Sequence, residues 1–116
     1  MDAIIYKIVT VEQWRKAEAD GVFAGAPIDI SDGYIHFSTG SQVRETAARH
    51  FSGMGDLLLV HVDTAKLGDA LRYEPSRGGL LFPHLYAPMP LDCAIRIDPL
   101  PLDETGRHMF PAEIGA

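Results

Sequence analysis

The stretch Asp32-Gly33-Tyr34-Ile35-His36-Phe37-Ser38-Thr39, "DGYIHFST", decides the fold class. It opens with turn residues, alternates polar and apolar side chains, and ends in two hydroxyls. The alternation predicts a strand over Tyr34–Ser38, with Tyr34, His36 and Ser38 on one face and Ile35 and Phe37 on the other. If Ile35 and Phe37 enter the core, the Tyr/His/Ser face is free to line a cleft. Thr39-Gly40-Ser41-Gln42 then offers a cap for a helix over 41–51, in which Val43, Ala47 and Phe51 share a face. A helix N-terminus beside a strand end suits a phosphate or carboxylate. The alternative is that Ser38 and Thr39 only cap the helix while His36 bonds a neighbouring strand.

Outward from this stretch, "AIIYKIV" (3–9) reads as a first strand. Thr10-Val11-Glu12-Gln13 is a capping box for a helix over about 11–20, with Trp14 on its apolar face and Gly21 as its stop. Residues 22–33 read as an irregular segment ending in a turn. "LLLVHVD" (57–63) is near-continuously apolar and is expected at the centre of a sheet. "ALRYE" (70–74) and "LDCAIRIDPL" (91–100) are further strands, and the Pro- and Gly-rich segment between them reads as a long, site-serving loop. Strands outnumber helices and the two helices come early. The expected class is a single α+β domain with a mixed, mostly antiparallel sheet.

Ten basic against sixteen acidic residues give a formal charge of −6, which argues against broad nucleic-acid binding. One phosphate held by backbone N–H groups and a single arginine remains compatible with it. Cys93 is the only cysteine, so no intrachain disulfide and no Cys-based zinc site can form. The N-terminus "MDAIIYKIVT" has neither a basic leader nor a long apolar run, and a cytoplasmic protein that does not enter a membrane is expected.

Several residues could carry chemistry. His61 and Asp63 share a strand face, but two ligands do not make a metal site, and none is expected. Arg72 and Glu74 share another face. Glu74 could be a general base or accept from a ribose hydroxyl, or form only a strand-edge ion pair. In "FPHLY", Phe82 and Tyr86 bracket Pro83 and His84, an arrangement that suits a flat ring or a plug closing the sheet. Nothing recommends His50 or His108. "H-F-S" fits the H-x-S/T element of two-histidine phosphoesterases, but His61-Val62-Asp63 and His84-Leu85-Tyr86 lack the hydroxyl of a second element.

Taken together, "IYKIVT", Trp14, "DGYIHFST" with Gln42, "RYE" around Glu74, and "FPHLY" resemble the family of domain of unknown function number 952, from about Ile4 to Ile97. That family in turn resembles the ADP-ribosyltransferase superfamily, including RNA 2′-phosphotransferases, in which a split antiparallel sheet grips NAD. The likeness is carried by "GYIHFSTGSQVRETAARHF" (33–51). It implies that His36 stands where many transferases carry an aromatic stacking on nicotinamide, with Ser38 and Thr39 near their hydroxyl residues. The transferases' first-strand histidine has no counterpart, since Tyr6 or Lys7 stands there, and Glu74 matches their terminal glutamate by residue type alone.

The resulting expectation is a cleft of Tyr34, His36, Ser38, Glu74 and residues 82–86. It would bind a nucleotide-like or phosphorylated ligand, with NAD among the candidates, and catalyse a transfer or hydrolysis. His36 and Glu74 would act on the ligand. Tyr34, Ser38, Thr39, Gln42, Phe82, His84 and Tyr86 would bind it. The alternative is a non-catalytic ligand- or protein-binding module whose histidines are structural.

Overall fold

The β-branched N-terminal run forms β1, Ile4–Thr10, and the chain turns directly into α1, Val11–Asp20. The expected capping box fixes this turn. Thr10 Oγ1 accepts from the Gln13 N–H at 3.0 Å, and the Gln13 side chain accepts from the Thr10 N–H at 2.9 Å. Gly21 ends the helix at φ 78°, a left-handed conformation natural to glycine. The structure is a computed structural model, and it describes residues 2–114.

Two three-stranded sheets organise the molecule. In the first, β4, Leu57–Asp63, lies between β1 and β8, Ala94–Pro99. Its central place is what a continuous apolar run demands. In the second, the order is β3 (Ile35–His36), β6 (Leu81–Leu85), β5 (Leu71–Pro75). A two-residue pairing joins β2, Val22–Phe23, to β7, Met89–Pro90. The fold is therefore α+β with antiparallel sheets. All strand pairs among the described residues run antiparallel, so the parallel component of the expected mixed sheet is absent from them.

"DGYIHFST" joins the two sheets. Ile35 and His36 pair with Leu85 and His84, and Phe37 still donates to the Pro83 carbonyl at 2.9 Å. One residue later the chain has changed partners: Ser38 exchanges backbone bonds of 2.8 and 2.9 Å with Tyr6 of β1. The sheets split at this change.

The first sheet is covered on both faces. Ile5, Val9, Val60 and Val62 pack with Trp14 and Ala17 of α1, and with Ile35 and Phe37. Ile8, Leu57 and Leu59 pack on the other side with Val43 and Ala47 of α3, Val43–His50. Ile35 and Phe37 are each 3% exposed, which leaves the opposite face of their strand for other work.

Three expectations need correction. Residues 22–33 are not wholly irregular: Val22–Phe23 is a strand, and Pro27–Asp32 forms α2, a third helix among the early elements. Pro27 pre-sets the first helical φ, and Asp29 supplies the cap that Ala26 lacks by accepting the Ala26 N–H at 2.8 Å. The long segment after Pro75 contains β6 and β7, because Pro83 sits in the ladder with its missing N–H uncalled for and its carbonyl engaged. The last strand starts at Ala94, since Leu91–Cys93 makes a 3₁₀ turn first.

Candidate functional site

The site is built on Asp29, the third residue of α2, which is only 1% exposed. Its Oδ1 accepts from Lys7 Nζ at 3.0 Å and from the His36 N–H at 3.1 Å, and it lies 2.6 Å from His36 Nδ1. Its Oδ2 is 2.9 Å from Lys7 Nζ and accepts the Ala26 N–H. Burial alone would push this carboxyl up. The His36 hydrogen bond, the Lys7 charge and hydrogen bond, and the Ala26 N–H together overcome it and hold Asp29 down at about 2. Lys7 is itself buried, and burial lowers its pKa against the opposing pull of Asp29.

His36 is held at both ring nitrogens: Asp29 faces Nδ1, and Asp32 Oδ2 lies 2.9 Å from Nε2. The two carboxylates differ in freedom, because Asp29 is buried whereas the Asp32 side chain is 40% exposed. Directly across the ladder stands His84, in register with His36, the two ring centroids 5.5 Å apart. His84 Nδ1 is 2.8 Å from Glu74 Oε1, an oxygen that also accepts the Tyr86 hydroxyl at 2.7 Å. Those two bonds, the tyrosine's first and the histidine's second, lower the Glu74 pKa, and the same bond to Glu74 raises that of Tyr86. Among the described residues, His84 Nε2 has no hydrogen-bond partner. The Tyr34 ring lies against both imidazoles, at 4.6 Å from His36 and 4.2 Å from His84, and at 5.1 Å from Tyr86.

Two carboxylate-backed histidines thus sit side by side. They are part of the wall of an open cavity of about 620 Å³ where the sheets part. Lys7, Ser38, Thr46 and Arg77 add polar groups to that wall, and Phe51, Met54 and Phe82 add apolar ones.

Of the residues singled out in the sequence, Tyr34, His36, Glu74, His84 and Tyr86 converge in one cluster, and Ser38 and Phe82 line the cavity beside it. Glu74, Tyr34 and Tyr86 stand behind the imidazoles rather than on the wall. Thr39 and Gln42 serve the start of α3. Gln42 Oε1 accepts the Thr39 N–H at 3.0 Å, and Gln42 Nε2 donates to the Leu81 carbonyl at 2.8 Å. The N–H groups of Gln42 and Val43 both go to the Thr39 carbonyl, so those donors, expected to be open to an anion, are already taken.

His61 Nε2 pairs with Asp98 at 2.7 Å, while Asp63 caps a 3₁₀ turn through the Ala65 N–H. Among the described residues no group of three His, Cys, Asp or Glu side chains gathers as metal ligands would. His50, passed over in the sequence, does line the cavity. Lys7, Asp29, Asp32 and Arg77 were likewise missed as site residues. Asp29 had a signal: "APIDISDG" places Pro and Asp at the first and third positions of a helix and Gly at its stop.

A family model described as protein of unknown function (DUF952) matches residues 8–97. The chain belongs to the DUF952 family. The crystal structure of protein CC0527 from Caulobacter crescentus is 43% identical, with a TM-score of 0.88 over 91% of this chain and 93% of that one. The solution NMR structure of CC0527 is also 43% identical and gives a TM-score of 0.82 over 91% of each chain. No curated protein matches the chain. DUF952 membership covers the strand–cap–helix block, Glu74 and "FPHLY", so the whole cluster lies inside the family's matched region. No described helix is long and apolar enough to cross a membrane.

Proposed function

We propose that the cavity binds a phosphorylated, nucleotide-like small molecule and that His36 and His84 exchange protons with it in a transfer or hydrolysis. The observation that carries this reading is the cross-strand histidine pair, each Nδ1 fixed by a carboxylate, on the wall of a cavity that also presents Lys7 and Arg77. A carboxylate at Nδ1 fixes ring orientation and favours a proton there, leaving Nε2 to take or give one. Imidazole is the side chain suited to that exchange near neutral pH. His84 Nε2 is already unpartnered. His36 Nε2 becomes available when the half-exposed Asp32 swings away. In this reading Glu74 and Asp29 are positioning residues, and Tyr34 fixes the spacing of the two rings. The likeness of residues 33–51 to ADP-ribosyltransferases makes NAD and ADP-ribose the first ligands to try.

Calorimetry with NAD, ADP-ribose and AMP tests binding. Saturable heat is expected for at least one, and its loss in both His36→Ala and His84→Ala. No binding at millimolar concentration of any of the three contradicts the proposal. A second reading, a non-catalytic binding module, is favoured by the occupation of both His36 nitrogens within the protein. Product analysis after long incubation with the bound compound separates the two, since a pure binder has no turnover to lose.

A further inference from the structure

Arg77 is under-bonded. A guanidinium carries five N–H donors. Here only Nη2 meets partners, and both contacts are long: 3.3 Å to Thr46 Oγ1 and 3.4 Å to Glu45 Oε2. Nε is buried without a hydrogen-bond partner among the described residues. The group lies over the Phe82 ring at 4.8 Å, on the cavity wall. Glu45 is a weak competitor, since its side chain is half-exposed and has Arg49 one helical turn away, at 3.6 Å.

The hydroxyls beside it link Arg77 to the strand of His36. Thr46 Oγ1 lies 3.2 Å from the Gln42 carbonyl, within reach of its proton. Ser38 Oγ lies 2.8 Å from Thr46 Oγ1, a contact that either hydroxyl can donate. In either direction Ser38 keeps a lone pair, which can accept from a ligand hydroxyl or amine. Ser38 stands two hydrogen bonds from Arg77 and two residues, about 7 Å along the strand, from His36. Along this stretch of wall the order is thus cation, hydroxyl, imidazole.

We propose that Arg77 anchors the phosphate of a phosphorylated, hydroxyl-bearing ligand of the sugar phosphate class. A sugar hydroxyl donates to Ser38, and the reactive end points at His36 and His84. The guanidinium turns off Phe82 and presents Nε and an Nη to two phosphate oxygens, a bidentate geometry that lysine cannot reproduce. This inference rests on the proposed function and adds the anion site and the ligand class to it.

The test is a ¹H–¹⁵N NMR titration of the full chain with ribose 5-phosphate, with inorganic phosphate and D-ribose as separate probes. Ribose 5-phosphate is expected to shift the amides of His36, Ser38 and Arg77 and to bind more tightly than either part alone. Arg77→Ala should weaken it about tenfold or more, the usual loss on removing charge-assisted bonds, and Arg77→Lys should recover only part of that. Glu45→Gln should tighten it by removing the competitor. Each variant's amide spectrum reports whether it is folded, and Arg77→Gln replaces Arg77→Ala if that variant is not. Ribose 5-phosphate binding within twofold of wild type in folded Arg77→Lys and Arg77→Gln (or Arg77→Ala) would overturn the anchor while leaving the cavity a ligand site. Inorganic phosphate binding as tightly as ribose 5-phosphate would overturn the sugar phosphate class. No shift at His36 or His84 with any of these probes would overturn this inference, and the calorimetry with NAD, ADP-ribose and AMP decides the proposed function separately.

Discussion

At the scale of single residues, Asp29 holds the site together. It neutralises a buried lysine, fixes one imidazole and caps its own helix through the Ala26 N–H. Asp29→Asn keeps the shape but removes the charge, which leaves Lys7 buried without a counterion. Loss of one partner from such a pair costs about 3–5 kcal/mol, and urea denaturation at pH 7 is expected to show it; a change below about 1 kcal/mol would contradict this account of Asp29. The pH dependence follows from its depressed pKa. Asp29 sits at about 2 in the folded protein against 3.8 ordinarily, so its stabilisation is complete above the unfolded value and is lost as pH falls from about 4 towards 2. The contribution is roughly 2 kcal/mol. Urea midpoints taken from pH 5 down to pH 2 should fall steeply in wild type and more gently in Asp29→Asn.

At the scale of elements, α2 matters more than its six residues suggest, because it carries Asp29 and Asp32 to the two sides of His36. The turn before it leaves no room. Gly25 has φ 118°, and a Cβ added there would lie 2.9 Å from Asp29 Cβ. Gly25→Ala is therefore strained and displaces the carboxylate as well, with an expected loss of about 1–3 kcal/mol and a shifted His36 ring resonance. A stable variant with an unmoved His36 signal would show that the close approach is not needed. The Thr10 capping box is a simpler case: Thr10→Ala should cost about 1 kcal/mol in thermal or urea unfolding with no change at the site. That box was legible because its residues are neighbours in sequence, whereas the cap read at Thr39–Gln42 precedes a helix that starts only at Val43 with no side-chain cap bond. Most of β1, α1, α3 and β4 was readable for the same reason, through β-branched and apolar runs and helical spacing. The strand at Leu81–Leu85 was not, because Pro83 within it, the prolines after it and the glycine pair before it read as loop chemistry, and only long-range pairing with β3 and β5 makes it a strand.

At the scale of the whole molecule, the site exists because two sheets meet at one bridge and then part. The sequence named His36, Glu74 and His84 separately, from residue type and position. That His36 faces His84 depends on the β3–β6 register, and a slip of one residue would put the two rings on opposite faces of the sheet. Such a register is decided by packing on both sides of the sheet and leaves no local mark. The cavity's cations were hidden for the same reason: Lys7 and Arg77 are seventy positions apart in a chain of charge −6. Any molecule that binds only the folded form raises stability, by about 2.7 kcal/mol at a hundredfold excess over Kd, so thermal unfolding with ADP-ribose gives a quick first view. The most direct measurement is a long-range ¹H–¹⁵N correlation spectrum of the histidine side chains, recorded with and without ADP-ribose. The account predicts that the Nε2 signals of His36 and His84 move together on binding while those of His61, paired with Asp98 elsewhere, stay still; imidazole signals of His36 and His84 unchanged at millimolar ADP-ribose would contradict it.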